Sequence, residues 1–340
     1  MKKTGVLLVN LGSPDSTQVK DVRKYLDEFL MDKYVIDVPW LLRALIVKGF
    51  ILPFRPKKSA EAYKSVWTDE GSPLIVISEK LKAKLGEKVE QPLELAMRYG
   101  NPSIKSGIEK LLQKMPDMEE ILLIPLYPHY AMATFKTVVE KTEVELQKLA
   151  PNIKLKSIDP FYDEEQYLDT LTESIRPYLD KVDYLLFSYH GVPERHVQKT
   201  DPSGAHCLKR KNCCQIKCPV NELCYRHHTV VSTEEVAKRL NLGKTQFGQS
   251  FQSRLGKDPW LQPYTDKTIE ALAKKGVKRL AVVCPAFVAD CLETIEEIGM
   301  EGKEIFLENG GEHFVRIPCL NDNDAWVDTL AQYCNKYTQA

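Results

Sequence analysis

The sequence predicts an α/β protein made of two Rossmann-like, doubly wound parallel-sheet halves, with an active cleft expected between them. Three observations carry that prediction. Short apolar runs with β-branched residues alternate with longer stretches of helical period, the pattern of βαβ units, and the eight runs divide into two similar sets of four. The 340 residues are about enough for two domains, each with its own core. The runs are unevenly spaced, with a very long interval between the first and second, which disfavours a single eight-stranded (β/α) barrel.

In chain order the strands are expected at 5–11, 93–99, 121–127, 155–159, 184–189, 245–251, 280–284 and 314–318. Helices are expected between them at 17–31, 75–85, 102–115, 135–149, 164–179, 232–240, 266–275 and 290–300. A last helix at 323–337 has an acidic first turn and is expected to pack back on the N-terminal half. The halves are therefore drawn as 1–133 with 319–340, and 134–318. Two segments stand outside this alternation: an apolar lip at 35–58 and a cysteine-rich insertion at 201–226. Within the lip, VPWLLRALIVKGFILPF (38–54) is broken by Arg43 and Lys48 and is too short to span a bilayer. It reads as a buried helix and turn, or as an exposed lip that dips into a membrane surface or closes over a flat hydrophobic ligand; Arg55, Lys57 and Lys58 beside it suit lipid phosphates.

Composition narrows the function classes. With 47 basic and 47 acidic residues the chain lacks the basic excess of a nucleic-acid binder, and 43% apolar with 28% charged residues is ordinary for a folded protein. The N-terminal apolar run breaks at Asn10 without a small-residue cleavage site, so no secretory signal is read and a cytoplasmic location is expected, peripheral at the inner membrane surface if the lip is exposed. Reduced thiols are then the rule. Five of the nine cysteines, Cys207, Cys213, Cys214, Cys218 and Cys224, nevertheless crowd into one segment. Cys284, Cys291, Cys319 and Cys334 read as small core residues.

Two strand ends carry the chemistry. The run YLLFSYHGVPERH (184–196) delivers His190 to the carboxyl end of a strand, the usual address of an active-site residue in open α/β folds. A neutral imidazole there offers a lone pair to a metal or a proton, and a purely structural histidine is the alternative. Beyond the strand LAVVC (280–284), Glu293, Glu297 and Glu301 recur every fourth residue and line one helical face, with no Lys or Arg between Cys291 and Ile298 to answer them. Such a file suits a divalent cation or protons leaving a substrate; a solvated acidic face is the bland reading. Arg98, Tyr99, Tyr127, Tyr130, Arg254 and Trp260 cluster at other strand ends and would suit a large, flat, anionic ligand. Gly-rich phosphate loops are absent, which disfavours a nucleotide enzyme.

Taken in order, LLVNLGSP (7–14), VRKYLDEFL (22–30), EGSPL (70–74), MRYGNP (97–102), PLYPHYA (125–131), SYHGVPERH (188–196), FQSRLGKDPWLQPYT (251–265) and CPAFVADCLETIEEI (284–298) resemble the ferrochelatase family over nearly the whole chain. The resemblance implies a cleft between two Rossmann-like halves in which ferrous iron enters a porphyrin. It implies that His190 and Glu293 form the metal-site pair, that Glu297 and Glu301 continue an acidic file on a π-widened helix, and that Arg98, Tyr99, Tyr127 and Tyr130 lie on porphyrin-pocket segments. Protoporphyrin IX is the expected substrate, because of the lip and because Gly12-Ser-Pro-Asp15 stands where the coproporphyrin-specific branch has a tyrosine ligand. Coproporphyrin III is the alternative substrate, and a haem or metal carrier without turnover is the alternative class. Some members hold a 2Fe-2S cluster, which four of the five clustered cysteines could ligate; structural zinc is the rival, with His206, His227 and His228 near enough for a mixed site. No feature of the sequence selects an oligomeric state.

Overall fold

In the computed structural model, residues 3–256 and 258–338 are described. Residues 1, 2, 339 and 340, at the ends of the first half, and Lys257, in the 251–265 motif, lie outside them. All eight expected strands form, shifted by no more than two residues at most ends. They make two four-stranded sheets.

The first sheet contains β1 (Thr4–Ser13), β2 (Leu93–Gly100), β3 (Glu120–Pro125) and β4 (Lys154–Ser157) in the order β2-β1-β3-β4, every pair parallel. The near-continuous apolar run of β1 is explained by its central place: Val6, Leu7, Leu8 and Val9 are all 0% exposed, because helices cover both faces. Around Leu7, Val9, Ile121 and Leu123 pack Ile104, Ile108 and Leu111 of the helix Ile104–Lys114 and Val138 of the helix Thr137–Leu149. Gly12, next to last in β1, has φ +108°, and a Cβ there would lie 1.8 Å from the Tyr99 carbonyl oxygen, so only glycine fits.

The second sheet repeats the arrangement with β5 (Tyr184–His190), β6 (Phe247–Gln252), β7 (Arg279–Val283) and β8 (His313–Arg316) in the order β6-β5-β7-β8, again wholly parallel. Its core joins Leu186, Leu280 and Val282 to Ile269, Ile298 and Phe306. Two sheets instead of one closed ring exclude the barrel. They also move one boundary. Because β4 pairs with β3, residues 132–159 belong with the first unit; the short piece Pro128–Ala131 goes with the second, and the main division falls at Asp159/Pro160 where the sequence pattern suggests 133/134. The return comes at Asn321, and the terminal helix Asp324–Thr338 packs on the helix Pro73–Gly86 of the first unit, as expected.

The lip is largely exposed, not buried. A helix at Trp40–Ala44 continues as a π-helix at Leu45–Ile51, and Leu41, Phe50 and Phe54 are 76%, 67% and 78% exposed. The charge that breaks the run anchors it: Arg43 is buried and its Nη1 donates to the carbonyls of Ile36 and Val38, each at 3.1 Å. Among the described residues no helix is long and apolar enough to cross a membrane.

Candidate active site

His190 is the last residue of β5. It pairs in register with Gln252 at the end of β6, and the next N–H, from Gly191, donates to the Gln252 carbonyl at 2.7 Å. Glycine follows because a Cβ at 191 would come within 2.9 Å of that same carbonyl oxygen. The imidazole Nδ1 lies 2.6 Å from the Gly191 carbonyl oxygen. A carbonyl only accepts, so Nδ1 carries a proton, and the tautomer this selects has its lone pair on Nε2. The residue is part-exposed, at the carboxyl edge of the sheet.

The acidic file sits on a π-helix, Glu293–Gly302, where the wider turn keeps residues four and five apart on one side. It runs from exposed Glu301 to part-buried Glu297 and Glu293. Glu297 is held by Ser253, whose backbone N–H donates at 2.8 Å and whose hydroxyl also donates, with Gln252 Nε2 at 3.4 Å. Burial raises the Glu297 pKa above the usual carboxylate range, against the lowering effects of Ser253 and of His190, while Glu293 adds to the rise. His190 and Glu293 are thus both near enough to Glu297 to act on its charge. Gln252 ties sheet to helix: its Nε2 donates to the Glu293 carbonyl at 3.0 Å and its Oε1 accepts from Ser188 at 2.8 Å. Asp290 fixes the helix entry by accepting from Thr294 at 2.9 Å and from Arg316. Cys291, expected to be core filler, is buried but gives its thiol to Glu293; burial, and after it the Glu293 charge, push its pKa well up.

Sequence reasoning missed Gln252, Ser253, Asp290 and Arg316 as site residues. The available signal was Phe-Gln-Ser directly after an apolar strand, since polar side chains at a strand's carboxyl end rarely serve packing. Arg254 and Trp260 have protein partners of their own. Arg254 forms a two-point pair with Asp266 in the first turn of the helix Thr265–Lys274, at 2.9 and 3.0 Å, and Trp260 Nε1 donates to the Leu255 carbonyl.

In the first unit Arg98 binds Asp32 and donates through Nε to Thr137 at 2.8 Å. Asp32 also accepts from Tyr99 at 2.9 Å, Thr137 at 2.5 Å and the Tyr34 backbone N–H at 2.7 Å, so a buried carboxylate is satisfied by four donors. Tyr99 is 0% exposed, which corrects its expected place: its ring supports Arg98 and offers no face to a ligand. Tyr127, in the same unit, is buried as well. So is Tyr130, which belongs to the second unit and whose phenol is raised by burial.

The cysteine segment lies in the second unit, between the helices Glu194–Lys199 and Tyr225–Arg239. Among the described residues no three His, Cys, Asp or Glu side chains stand in a metal-coordinating arrangement. The thiols are instead in pairs. Cys207 Sγ is 3.6 Å from Cys224 Sγ, Cys213 Sγ is 4.0 Å from Cys214 Sγ, and Cys214 bonds Cys224, which joins the pairs. Two thiolates on one tetrahedral metal with bonds of about 2.3 Å are separated by roughly 3.8 Å, so each pair has the right spacing for one metal ion. The thiol of Cys214 holds the Cys224 thiol down at about 6 despite its burial, and Cys207 also donates to it. Cys218 is elsewhere, with its Sγ 3.4 Å from His206 Nε2.

The mixed cysteine–histidine site is not supported at His228. Its Nδ1 accepts the Tyr130 N–H at 3.1 Å, its Nε2 donates to the Asn221 carbonyl at 2.9 Å, and burial holds its pKa down at about 3. His227 likewise donates Nδ1 to the Cys214 carbonyl at 2.6 Å. Asp201 closes the loop by accepting the backbone N–H groups of His206 and Cys207 at 2.8 and 2.9 Å. Those bonds, after that of Ser203, hold its carboxyl well below the usual range.

The ferrochelatase family model matches residues 3–338. The chain is 50% identical to a ferrochelatase of Azotobacter vinelandii, covering 98% of this chain and 99% of that one, and 47% identical to one of Stutzerimonas stutzeri, covering 100% of each. Among solved structures it resembles SirB from Bacillus subtilis with Fe3+, at a TM-score of 0.55, 12% identity and coverage of 99% and 95%. That likeness speaks to the fold alone. The two parallel sheets, the eight motifs in order and the full-length identity together place this chain in the ferrochelatase family, enzymes of the lyase class that insert iron into a porphyrin.

Proposed function

We propose that the chain inserts ferrous iron into protoporphyrin IX to give protohaem, with His190 and Glu293 sharing the work at the reacting centre. The observation that carries this reading is that His190 and Glu293 both lie near enough to Glu297 to act on its charge, with the His190 tautomer that has its lone pair on Nε2 at the strand end. Insertion requires two pyrrole N–H protons to leave while iron sheds its waters. Nε2 is suited to receive a proton or to meet the iron first, and the Glu293 carboxylate takes the complementary task. Glu301 and Glu297 form the approach to that centre, for iron moving in or protons moving out. Holding the macrocycle bent, with its lone pairs exposed, is complementarity to the transition state. Arg98 is the candidate for the propionates, and Tyr127 and Tyr130 stay candidates for the porphyrin through the family resemblance of their segments.

The lip supports protoporphyrin over coproporphyrin, because the former carries two apolar vinyl groups and is collected from a membrane surface. Exposed Trp40, Leu41, Phe50 and Phe54 beside Arg55, Lys57 and Lys58 suit a transient, peripheral contact at the cytoplasmic face. Anaerobic assay of ferrous iron or zinc insertion tests the reading, with faster metallation of protoporphyrin IX expected. Faster metallation of coproporphyrin III reverses the substrate, and tight porphyrin binding without metallation sinks the enzyme reading. Pelleting with anionic lipid vesicles is expected for the chain and lost in Leu41→Ser/Phe50→Ser.

The paired thiols fit a 2Fe-2S cluster better than mononuclear zinc, since they offer two places for two ligands each. Cys207, Cys213, Cys214 and Cys224 would hold it and Cys218 is the surplus. Such a group supplies folding energy to the loop and a redox-sensitive tie, and no electron that porphyrin metallation needs. Brown protein bleached by dithionite is expected; colourless protein with stoichiometric zinc moves the site to zinc.

A further inference from the structure

One side chain joins the thiol site to His190. Tyr225 follows Cys224 directly, opens the helix Tyr225–Arg239 and is 6% exposed. Its hydroxyl donates to the carbonyl oxygen of His190 at 2.7 Å. The need for that bond follows from the sheet. The peptide between His190 and Gly191 is planar and trans, so its N–H and C=O point in opposite directions. The N–H is taken by Gln252 on β6. On the opposite side lies β7, whose pairing with β5 stops at Val283, opposite Phe187. Among the described residues no strand reaches the His190 carbonyl, and a backbone oxygen at a covered strand end needs a donor. The phenol supplies it.

This peptide sets the imidazole. Nδ1 of His190 is bonded to the Gly191 carbonyl, one unit further along, so a tilt of the clamped peptide turns the ring and re-aims Nε2. At its other end Tyr225 is covalently next to Cys224, whose sulfur contacts Cys207 at 3.6 Å and bonds Cys214. Fixing that sulfur fixes the start of the helix that carries the phenol. We propose that Tyr225 is a positioning residue for His190, and that through it the occupancy of the thiol site sets the aim of the imidazole. The inference rests on the reading above of His190 as an acting residue and of the four thiols as a metal site.

Tyr225→Phe keeps the ring and its edge contact with His129 and removes only the hydroxyl. Loss of one hydrogen bond worth about 1 kcal/mol corresponds to roughly a fivefold change. In the full chain as isolated, with its metal, Tyr225→Phe is expected to lower kcat for zinc insertion into protoporphyrin about fivefold with KM moved less than about twofold. The second readout is the rate at which diethyl pyrocarbonate modifies His190, followed by peptide mass spectrometry. It is expected to change about threefold or more in Tyr225→Phe and in chelator-stripped wild type, with no further change on stripping Tyr225→Phe. Unchanged kcat and unchanged His190 reactivity in a folded Tyr225→Phe overturn the proposal. Stripping that alters His190 as much in the variant as in wild type overturns the coupling, as does wild-type protein isolated with no metal at the thiols. Full turnover in His190→Ala defeats the catalytic reading instead, and the reactivity of His190 in the other proteins still tests Tyr225 separately.

Discussion

The strand-end site and the cysteine segment both belong to the second unit, yet they are held by different means. His190 stands where two parallel strands stop in register, and Gln252, Ser253 and Asp290 bind it and the π-helix to the sheet with normal, mutually satisfying hydrogen bonds. Such a site exists before any ligand arrives. The cysteine segment has two single-turn 3-10 pieces, Cys213–Gln215 and Pro219–Leu223, and no strand. Its order comes from the Asp201 cap, from three histidine rings bonded to carbonyls or N–H groups and from sulfur–sulfur contacts. Preorganisation by a sheet costs no ligand, whereas a loop of this kind draws much of its stability from what its thiols bind.

The contrast breaks most visibly if the strand-end residues prove dispensable. His190→Ala and Glu293→Gln are each expected to lower kcat by about 10²-fold or more, the range for a lost general acid or base, with circular dichroism and thermal midpoint little changed. Retained turnover in both would remove the assignment of this group as the reacting centre.

Next in size, the cysteine segment separates its five thiols. Cys207→Ser and Cys224→Ser are expected to abolish bound metal, measured by elemental analysis, and to increase amide exchange across 201–226. Cys218→Ser is expected to leave metal content within about a fifth of wild type, because its sulfur is turned to His206 and not to the other four. Loss of metal in Cys218→Ser would show that the thiol pairs rearrange on loading.

The smallest effect concerns Glu297. Its raised pKa means that the folded state holds its proton more tightly than the unfolded state does. The stability it contributes is full below the ordinary glutamate range and is lost as pH rises through the raised value. Glu297→Gln should flatten the fall in thermal midpoint between acidic and neutral pH and lower turnover less than His190→Ala does. An unchanged pH slope counts against a buried, proton-retaining Glu297.

Much of this was legible in the chain. The eight apolar runs fixed eight strands because a buried parallel strand must be apolar on both faces, and that demand is local. The i, i+4, i+8 spacing of Glu293, Glu297 and Glu301 put them on one face whatever the helix packs against, and the crowding of five cysteines is visible without any fold. What the sequence could not supply is partner choice. Arg98 pairs with Asp32, Arg254 with Asp266, Cys218 with His206 and Tyr225 with the His190 carbonyl across separations that no local pattern encodes. The same holds for the placement of 132–159, which depends on β4 choosing β3 as its neighbour. Periodicity reports which face of an element is apolar; which groups meet there is decided by closing the whole sheet and satisfying every buried polar atom at once.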